Sequence, residues 1–434
     1  MIATAVITIL TFLTLSLSIL LFPSIKLGKI RIGTYWVTAL AGALLLLCCG
    51  LVPLRTVWDA LTDTSAINPL KILVLFFSMT FLSVLLDEVG LFRFLAKKAT
   101  SVTGSYQFSL FVALYCLVSI LTIFTSNDIM ILTLTPFICF FCKNTRINPL
   151  PYLVSEFAAA NTWSMMLIIG NPTNIYLATS AGIDFLSYLR VMLLPTIAAG
   201  LVEFALIVLV FRRQLKKKLE TQEDDFVIKS KPDLVIGLIH LFVCLVFLVL
   251  SGYVHLEMWL ISAACALSLL LCTVIVRFVR RDGWCYLTTS LKRLPWQLIP
   301  FVMSMFVIVI CLGHQGISEE LGRLLGDKAC VWTYGASSFL AANLINNIPM
   351  SMLFSTLPGD LSSLSGLQAV FASVIGSNIG AFLTPIGALA GIMFTSLTER
   401  FGIRYGYREF IKYGVIIAVP TIVTALLVLS LVLR

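Results

Sequence analysis

The sequence predicts an all-α polytopic membrane protein. It is an inverted repeat of five spans plus one re-entrant hairpin per half, with broken helices at a central site. Three observations point there. Of the 434 residues, 59% are hydrophobic and only 12% charged, a balance that belongs to a bundle of membrane spans rather than to a water-soluble domain. Two polar pairs, Asn127-Asp128 and Asn346-Asn347, interrupt long apolar runs. An ionisable group at membrane depth costs about 2.5–3.5 kcal/mol on insertion scales and so marks function. Gly and Pro recur at matching offsets after each pair, inside runs otherwise long enough to span.

Taken in order, apolar runs fall at 2–22, 34–52, 72–86, 153–178 and 188–211, then at 234–251, 258–276, 296–312, 369–397 and 413–433, which is ten spans by the twenty-residue criterion. The first lacks a basic region before it and a small-residue cleavage site after it, so it reads as a span and not as a removed signal peptide. Two further runs, 108–141 and 332–357, carry the polar pairs and read as re-entrant hairpins.

The basic residues test this count. With the amino terminus outside, 24 of the 30 Lys and Arg lie in the cytoplasm. They are Lys26, Lys29, Arg31, Arg93, Lys97, Lys98, Lys143, Arg146, seven in the loop 212–231, Arg277, Arg280, Arg281, Lys292, Arg293, Arg400, Arg404, Arg408 and Lys412. That asymmetry orients a multi-pass protein of the plasma (inner) membrane with both termini outside. Opening 108–141 into two full spans would move Lys143 and Arg146 outside and reverse every later loop. These charges read as topology determinants and headgroup contacts with no substrate role, and the net +9 is no sign of a nucleic-acid partner.

Five crossings per half place the halves, 1–211 and 232–434, in opposite orientations on either side of the basic loop 212–231, the arithmetic of an inverted-topology transporter. Local sequence agrees. Asn161 precedes Gly170 by nine positions, as Asn378 precedes Gly387. Gly and Pro in mid-span break the helix, and exposed backbone at membrane depth is tolerated only when buried in protein or lining a wet cavity. Gly170 and Gly387 could alternatively serve close helix packing, and Pro172 and Pro385 could be kinks. The amides beside them in both halves favour a site.

The candidate solute- and ion-binding residues are Ser126, Asn127, Asp128, Asn161, Thr162, Gly170, Asn171, Pro172, Thr173, Asn346, Asn347, Asn378, Thr384 and Gly387. Amides supply donors and acceptors together, and half-helix ends supply partial charges, which suits a small polar solute. Burial disfavours the charged form of a carboxyl, so Asp128 is the first candidate proton carrier and Glu156 the second. The plainer reading of Asp128 is a helix cap. Glu203, within a span on a presumed scaffold helix, is expected to pair at a dimer interface. Asp87-Glu88 and Glu257 fall at span ends, where headgroup-level solvation accounts for them. No basic residue lies in the hairpins or broken helices.

Eleven scattered cysteines read as small packing residues. Cys139 and Cys142 share a helix face, and His240, His255 and His314 are far apart, so no metal site and no cofactor are expected. No nucleophile–base grouping marks an enzyme. No Walker loop is present, so ATP could act only through a separate ATPase subunit.

The stretches Ser126-Asn127-Asp128 through Thr135-Pro136, Asn346-Asn347-Ile348-Pro349, and Gly376-Ser377-Asn378 through Leu383-Thr384-Pro385-Ile386-Gly387 resemble those of ArsB-type arsenite/antimonite efflux permeases. These belong to the ion transporter superfamily, with citrate and dicarboxylate carriers and sodium/proton antiporters. Gly170-Asn171-Pro172-Thr173-Asn174 is shared across that superfamily. The resemblance implies proton-coupled arsenite export, a homodimer and elevator-like movement. The pattern at Ser377-Asn378 departs from that of many arsenite exporters and leaves the substrate open. The alternative is a sodium- or proton-coupled carrier of a carboxylate or other small anion.

Overall fold

The computed structural model describes residues 1–22, 24–27, 30–62, 68–102, 106–219, 230–254, 256–281, 283–326, 328–361, 363–403 and 405–434. Lys29, His255, Arg404 and half of the basic loop, 220–229, lie outside the described residues.

The chain begins with α1 (Ile2–Leu21), the paired strands β1 (Ser24–Leu27) and β2 (Ile30–Gly33), α2 (Thr34–Cys48), α3 (Leu54–Thr62), α4 (Pro69–Val89) and α5 (Leu91–Val102). There follow α6 (Gln107–Phe124), α7 (Asn127–Asn144), α8 (Leu150–Ser164), a 3-10 turn (Ile168–Gly170), α9 (Pro172–Ser180) and α10 (Phe185–Leu215). The remainder comprises α11 (Lys231–Val254), α12 (Met258–Arg280), α13 (Cys285–Arg293), α14 (Leu298–His314) and α15 (Ile317–Leu325). It ends with α16 (Cys330–Ile345), α17 (Asn347–Phe354), α18 (Leu364–Gly380), α19 (Leu389–Arg400) and α20 (Tyr407–Val432). Among the described residues, 8 helical stretches are long and apolar enough to cross a membrane, and α2 and α18 are shorter apolar helices. The protein is a multi-pass membrane protein.

One order of elements occurs twice. An apolar helix pair, a short helix, a long helix and a second short helix precede two helices joined at a tight break, two helices separated by a longer break, and a final long helix. This is α1 to α10 and again α11 to α20. Each expected span and hairpin has its helix. Three features differ from the sequence reading. The fold is nearly rather than wholly helical, because β1 and β2 pair antiparallel with Ser24 opposite Gly33. The short helices α3, α5, α13 and α15 were not anticipated. Finally, α10 continues through Leu215, four residues into the stretch read as loop.

Packing sorts the helices into two sets. In one, α10 lies along α20 and α8, α16 along α18, and α6 along α8; in the other, α14 and α1 pack on α2, and α12 on α4 and α11. Within the first set, α18 approaches α16 closely at Gly376. A β-carbon there would sit 2.7 Å from the Gly335 carbonyl oxygen and 2.8 Å from the Phe339 nitrogen of α16. The two sets meet where α1 touches α16 and α10 touches α11, and further contacts join α14 to α17 and α4 to α7 and α9.

Candidate functional site

Four helix ends create the site's central problem. A broken helix leaves C-terminal carbonyls and N-terminal N–H groups without partners, and buried groups of that kind cost about 1–3 kcal/mol each if left unpaired. Amide side chains resolve it. In the first broken helix, Asn174 Nδ2 donates to the carbonyls of Ser164 (2.9 Å) and Leu167 (3.1 Å), closing the end of α8. In the second, Asn343 Nδ2 donates to the Gly380 carbonyl (2.9 Å) at the end of α18, and its Oδ1 accepts from Thr384 Oγ1 (2.7 Å). Asn171 caps α9 by accepting from the Thr173 N–H at 3.2 Å, with Pro172 at the first helical position, where its missing N–H costs nothing.

Asn378 joins the two broken helices. Its Oδ1 lies 3.0 Å from Ser164 Oγ and accepts from Asn171 Nδ2 at 2.9 Å. Its Nδ2 donates to Asn174 Oδ1 (2.7 Å) and to the Val374 carbonyl (2.8 Å). All four hydrogen-bonding positions of this fully buried amide are thus engaged.

The two tight breaks are held differently. At the first, Ser126 is the helix cap, accepting from the Ile129 N–H at 3.4 Å. Asn127 Oδ1 accepts from the Asp128 N–H (2.9 Å), while Asn127 Nδ2 donates to Asn161 Oδ1 (3.1 Å). The helix-cap reading of Asp128 is therefore corrected: Ser126 has that task, and Asp128 lines a cavity of about 150 Å³ with Tyr35, Thr80, Ser126, Arg293 and Met393. At the second break, Asn346 has φ +74° and caps α17 through the Ile348 N–H (3.2 Å). Its Nδ2 donates to the Ile386 carbonyl (2.8 Å), and the Asn347 N–H donates to the Gly387 carbonyl (3.0 Å).

Glycine is needed at both longer breaks for steric reasons. A β-carbon on Gly387 would lie 3.0 Å from the Gly380 carbonyl oxygen, and one on Gly170 would collide with the Ser164 carbonyl. Both glycines thus fold each break back onto its own helix end rather than fitting one helix against another.

The acids depart most from expectation. Glu203 is buried inside the protomer, accepting from Thr162 Oγ1 and lying 3.2 Å from the Tyr115 hydroxyl. That hydroxyl is 2.7 Å from the Gly200 carbonyl and accepts from Trp163 Nε1 at 3.1 Å. The expected dimer-interface pairing on a scaffold helix is overturned, because α10 packs on α8 and turns Glu203 inward. Glu156 accepts from Thr135 Oγ1 at 2.9 Å. Thr135 is eight positions beyond Asn127 on α7, so Glu156 sits about 12 Å along the helix from the tip. Asp87 is buried, not solvated: Arg293 Nη1 lies 2.6 Å from its Oδ2 and 2.5 Å from Glu88 Oε1. Arg277 pairs with Asp233, both buried, so neither arginine is a headgroup contact. Glu257, by contrast, sits half-exposed at its span end, 2.7 Å from Lys71.

The structure gathers the expected residues into three linked groups. Ser126, Asn127 and Asp128 meet Asn161; Asn171 meets Asn378; Asn346, Asn347 and Gly387 meet one another. Thr162 turns to Glu203, Thr384 serves Asn343, and Thr173 Oγ1 is buried without a hydrogen-bond partner among the described residues. Sequence reasoning missed Ser164, Asn174, Asn343 and Arg293 as site residues. Asn343 lies three positions before Asn346, and that spacing was legible.

Comparison with known proteins matches this arrangement to transporters. The chain is 28% identical to an arsenical pump membrane protein of Escherichia coli, covering 92% of this chain and 94% of that one. It is 27% identical to another from Yersinia enterocolitica, covering 82% and 85%. The crystal structure of the Alcanivorax borkumensis YdaH transporter, described as having an unusual topology, superposes with a TM-score of 0.51 over 99% of this chain and 97% of that one. At 14% identity, that likeness speaks for the fold alone. The citrate transporter family model matches residues 29–376, most of the chain and all of the site up to Gly376. The chain belongs to the citrate transporter family and is a membrane transporter, not an enzyme.

Proposed function

We propose that this chain is a secondary transporter that exports arsenite or antimonite in exchange for protons. The observation that carries the reading is the tip of α7. There, a carboxyl relieved of capping duty faces a cavity, beside an amide network suited to a small uncharged solute. Trihydroxyarsenic offers hydroxyl groups that donate and accept, as amides do. The names of the arsenical pump relatives support the substrate.

In this reading 1–211 and 232–434 are inverted halves joined by 212–231. The pairs α6/α7 and α16/α17 are re-entrant hairpins, both termini lie outside the plasma (inner) membrane, and the basic loops are cytoplasmic. The packing of both hairpins and both broken helices with α10 and α20 supports an elevator-like transport body. Asp128 carries the proton, and Glu156, distant from the tip, has the weaker claim to coupling.

A second reading, a sodium- or proton-coupled carboxylate carrier, is favoured by one observation. Arg293, paired with Asp87 and Glu88, puts a cation on the wall of the Asp128 cavity. The two are separated in proteoliposomes with an imposed pH gradient, to which arsenite, sodium and citrate are added in turn. Arsenite alone is expected to dissipate the gradient. A response confined to sodium with citrate would replace the first reading by the second.

A further inference from the structure

We propose that Arg293, clamped between Asp87 and Glu88, sets the charge selectivity of the Asp128 cavity, admitting uncharged and cationic species and excluding small carboxylate anions. The proposal rests on the reading of that cavity as the route to the transport site. Among the described residues lining it, Asp128 and Arg293 are the charged ones.

Arg293 is the last residue of α13, while Phe76, Thr80 and Val84 of α4 form part of the same wall. Asp87 and Glu88 follow Val84 by about one helical turn, on the same face of α4, and so meet the guanidinium beside the cavity. Arg293 Nη1 reaches both carboxylates, at 2.6 and 2.5 Å. Two carboxylates on one guanidinium leave the cluster with one net negative charge, and an ionised Asp128 adds a second. Away from bulk water such charges act across the width of a small cavity.

An entering carboxylate therefore finds a cation whose charge two acids already offset. Arg293 Nη1 is shared by Asp87 and Glu88, so an anion drawn to the guanidinium competes with both, and Asp87 is buried. Stripping a buried carboxylate of its partner is among the costlier single events in a protein. A neutral trihydroxy solute faces no such exchange. Arg293 thus lines the wall without offering an anion site, and its two acids decide which solutes enter.

The test reads charge selectivity without any transported solute. Ile392 of α19 lines the cavity, so the full-length protein carrying Ile392→Cys is treated with cationic trimethylammonium-ethyl and anionic sulfonatoethyl methanethiosulfonates. Rates are corrected for the parent chain's own cysteines, and the cation-to-anion ratio is normalised to that of a free thiol. The ratio is expected to exceed one in the Ile392→Cys protein. It should fall about tenfold with Glu88→Gln or Asp87→Asn, the size of one unit charge acting at several ångströms in a partly wet site. It should rise with Arg293→Gln and stay unchanged with Arg293→Lys. Glu88 is partly exposed, so Glu88→Gln is the acid variant least prone to misfold.

A ratio indifferent to all these substitutions, or a cysteine that neither reagent reaches, overturns the proposal. Failure of arsenite to move through the wild type would overturn the proposed function instead and leave this ratio standing.

Discussion

At the first tight break, Ser126 caps α7 from extended backbone at φ −153° and Asn127 touches one side chain across the gap, Asn161. The helix that follows runs 18 residues. At the second, Asn346 caps α17 from φ +74°, and that helix runs only 8 residues. Two bonds then tie this junction to backbone carbonyls of the neighbouring break, from Asn346 Nδ2 to Ile386 and from the Asn347 N–H to Gly387. The two junctions share a sequence pattern, but one holds an acid that faces a cavity and the other is sewn shut by amides. Repetition of the amides supplies a framework at both junctions, and Asp128 is the single acid that breaks the repetition; under the proposed function it carries the proton.

Substitutions can sharpen or break that contrast. The largest effect should come from Asn378→Ala, which removes the amide joining the two broken helices and strands polar groups of Asn171 and Asn174, while Ser164 keeps its bond to the Asn161 carbonyl. At about 1–3 kcal/mol for each stranded group, a loss of about 2–6 kcal/mol should appear as a clear drop in the thermal unfolding temperature. Transport should be lost with it. A stable, active variant would mean that the two broken helices are not joined through this residue.

Next comes a pair. Asn346→Ala loses the cap, the Ile386 contact and a residue type tolerant of positive φ, together about 2–3 kcal/mol. Asn346→Gly, which adopts that φ freely, should recover about 1 kcal/mol of it. Asn127→Ala loses its bond to Asn161 and the acceptor for the Asp128 N–H, for about 1–2 kcal/mol. Equal destabilisation by the two alanine variants would break the contrast between a sewn junction and an open one.

The smallest effect calibrates the others far from both junctions. Asp184 caps α10, accepting from the Leu186 and Ser187 N–H groups at 2.9 and 3.0 Å. Partial burial, the largest single influence, acts to raise its pKa. The hydrogen bonds from Ser187 and Leu186 together outweigh it and hold the carboxyl below its ordinary value. Asp184→Ala should cost about 1 kcal/mol. Because the folded value is the lower one, this stabilisation is present above the unfolded carboxyl's pKa of about 4 and is lost as pH falls through the folded value. Unfolding followed as a function of pH in wild type and variant should converge in acid.

Much of this was legible in the chain. Apolar runs gave the spans because a membrane imposes a minimum length, and Gly and Pro beside amides gave the breaks because buried backbone needs partners. The short helices α3, α5, α13 and α15 were invisible to that criterion, since each has 9 to 12 residues of mixed polarity. The acids were misread for a different reason. Glu88 and Arg293 lie 205 positions apart, and nothing local reports that the ends of α4 and α13 meet. The inward turn of Glu203 depends on which face of α10 packs on α8, which a uniformly apolar helix does not display. Asn174 and Asn343 were readable as amides. Their task, closing the ends of α8 and α18, became visible only once the breaks had a geometry.

The most direct test of the account counts protons at Asp128. Wild type and Asp128→Asn are reconstituted in proteoliposomes with an imposed pH gradient, and proton and arsenite fluxes are followed together. Asparagine keeps the shape of the side chain, and Ser126 still caps α7, so the variant should remain folded. Gradient-driven arsenite movement is expected in the wild type and, in the variant, arsenite movement indifferent to the gradient. A variant that keeps the wild-type proton-to-arsenite coupling would contradict this and place the proton elsewhere.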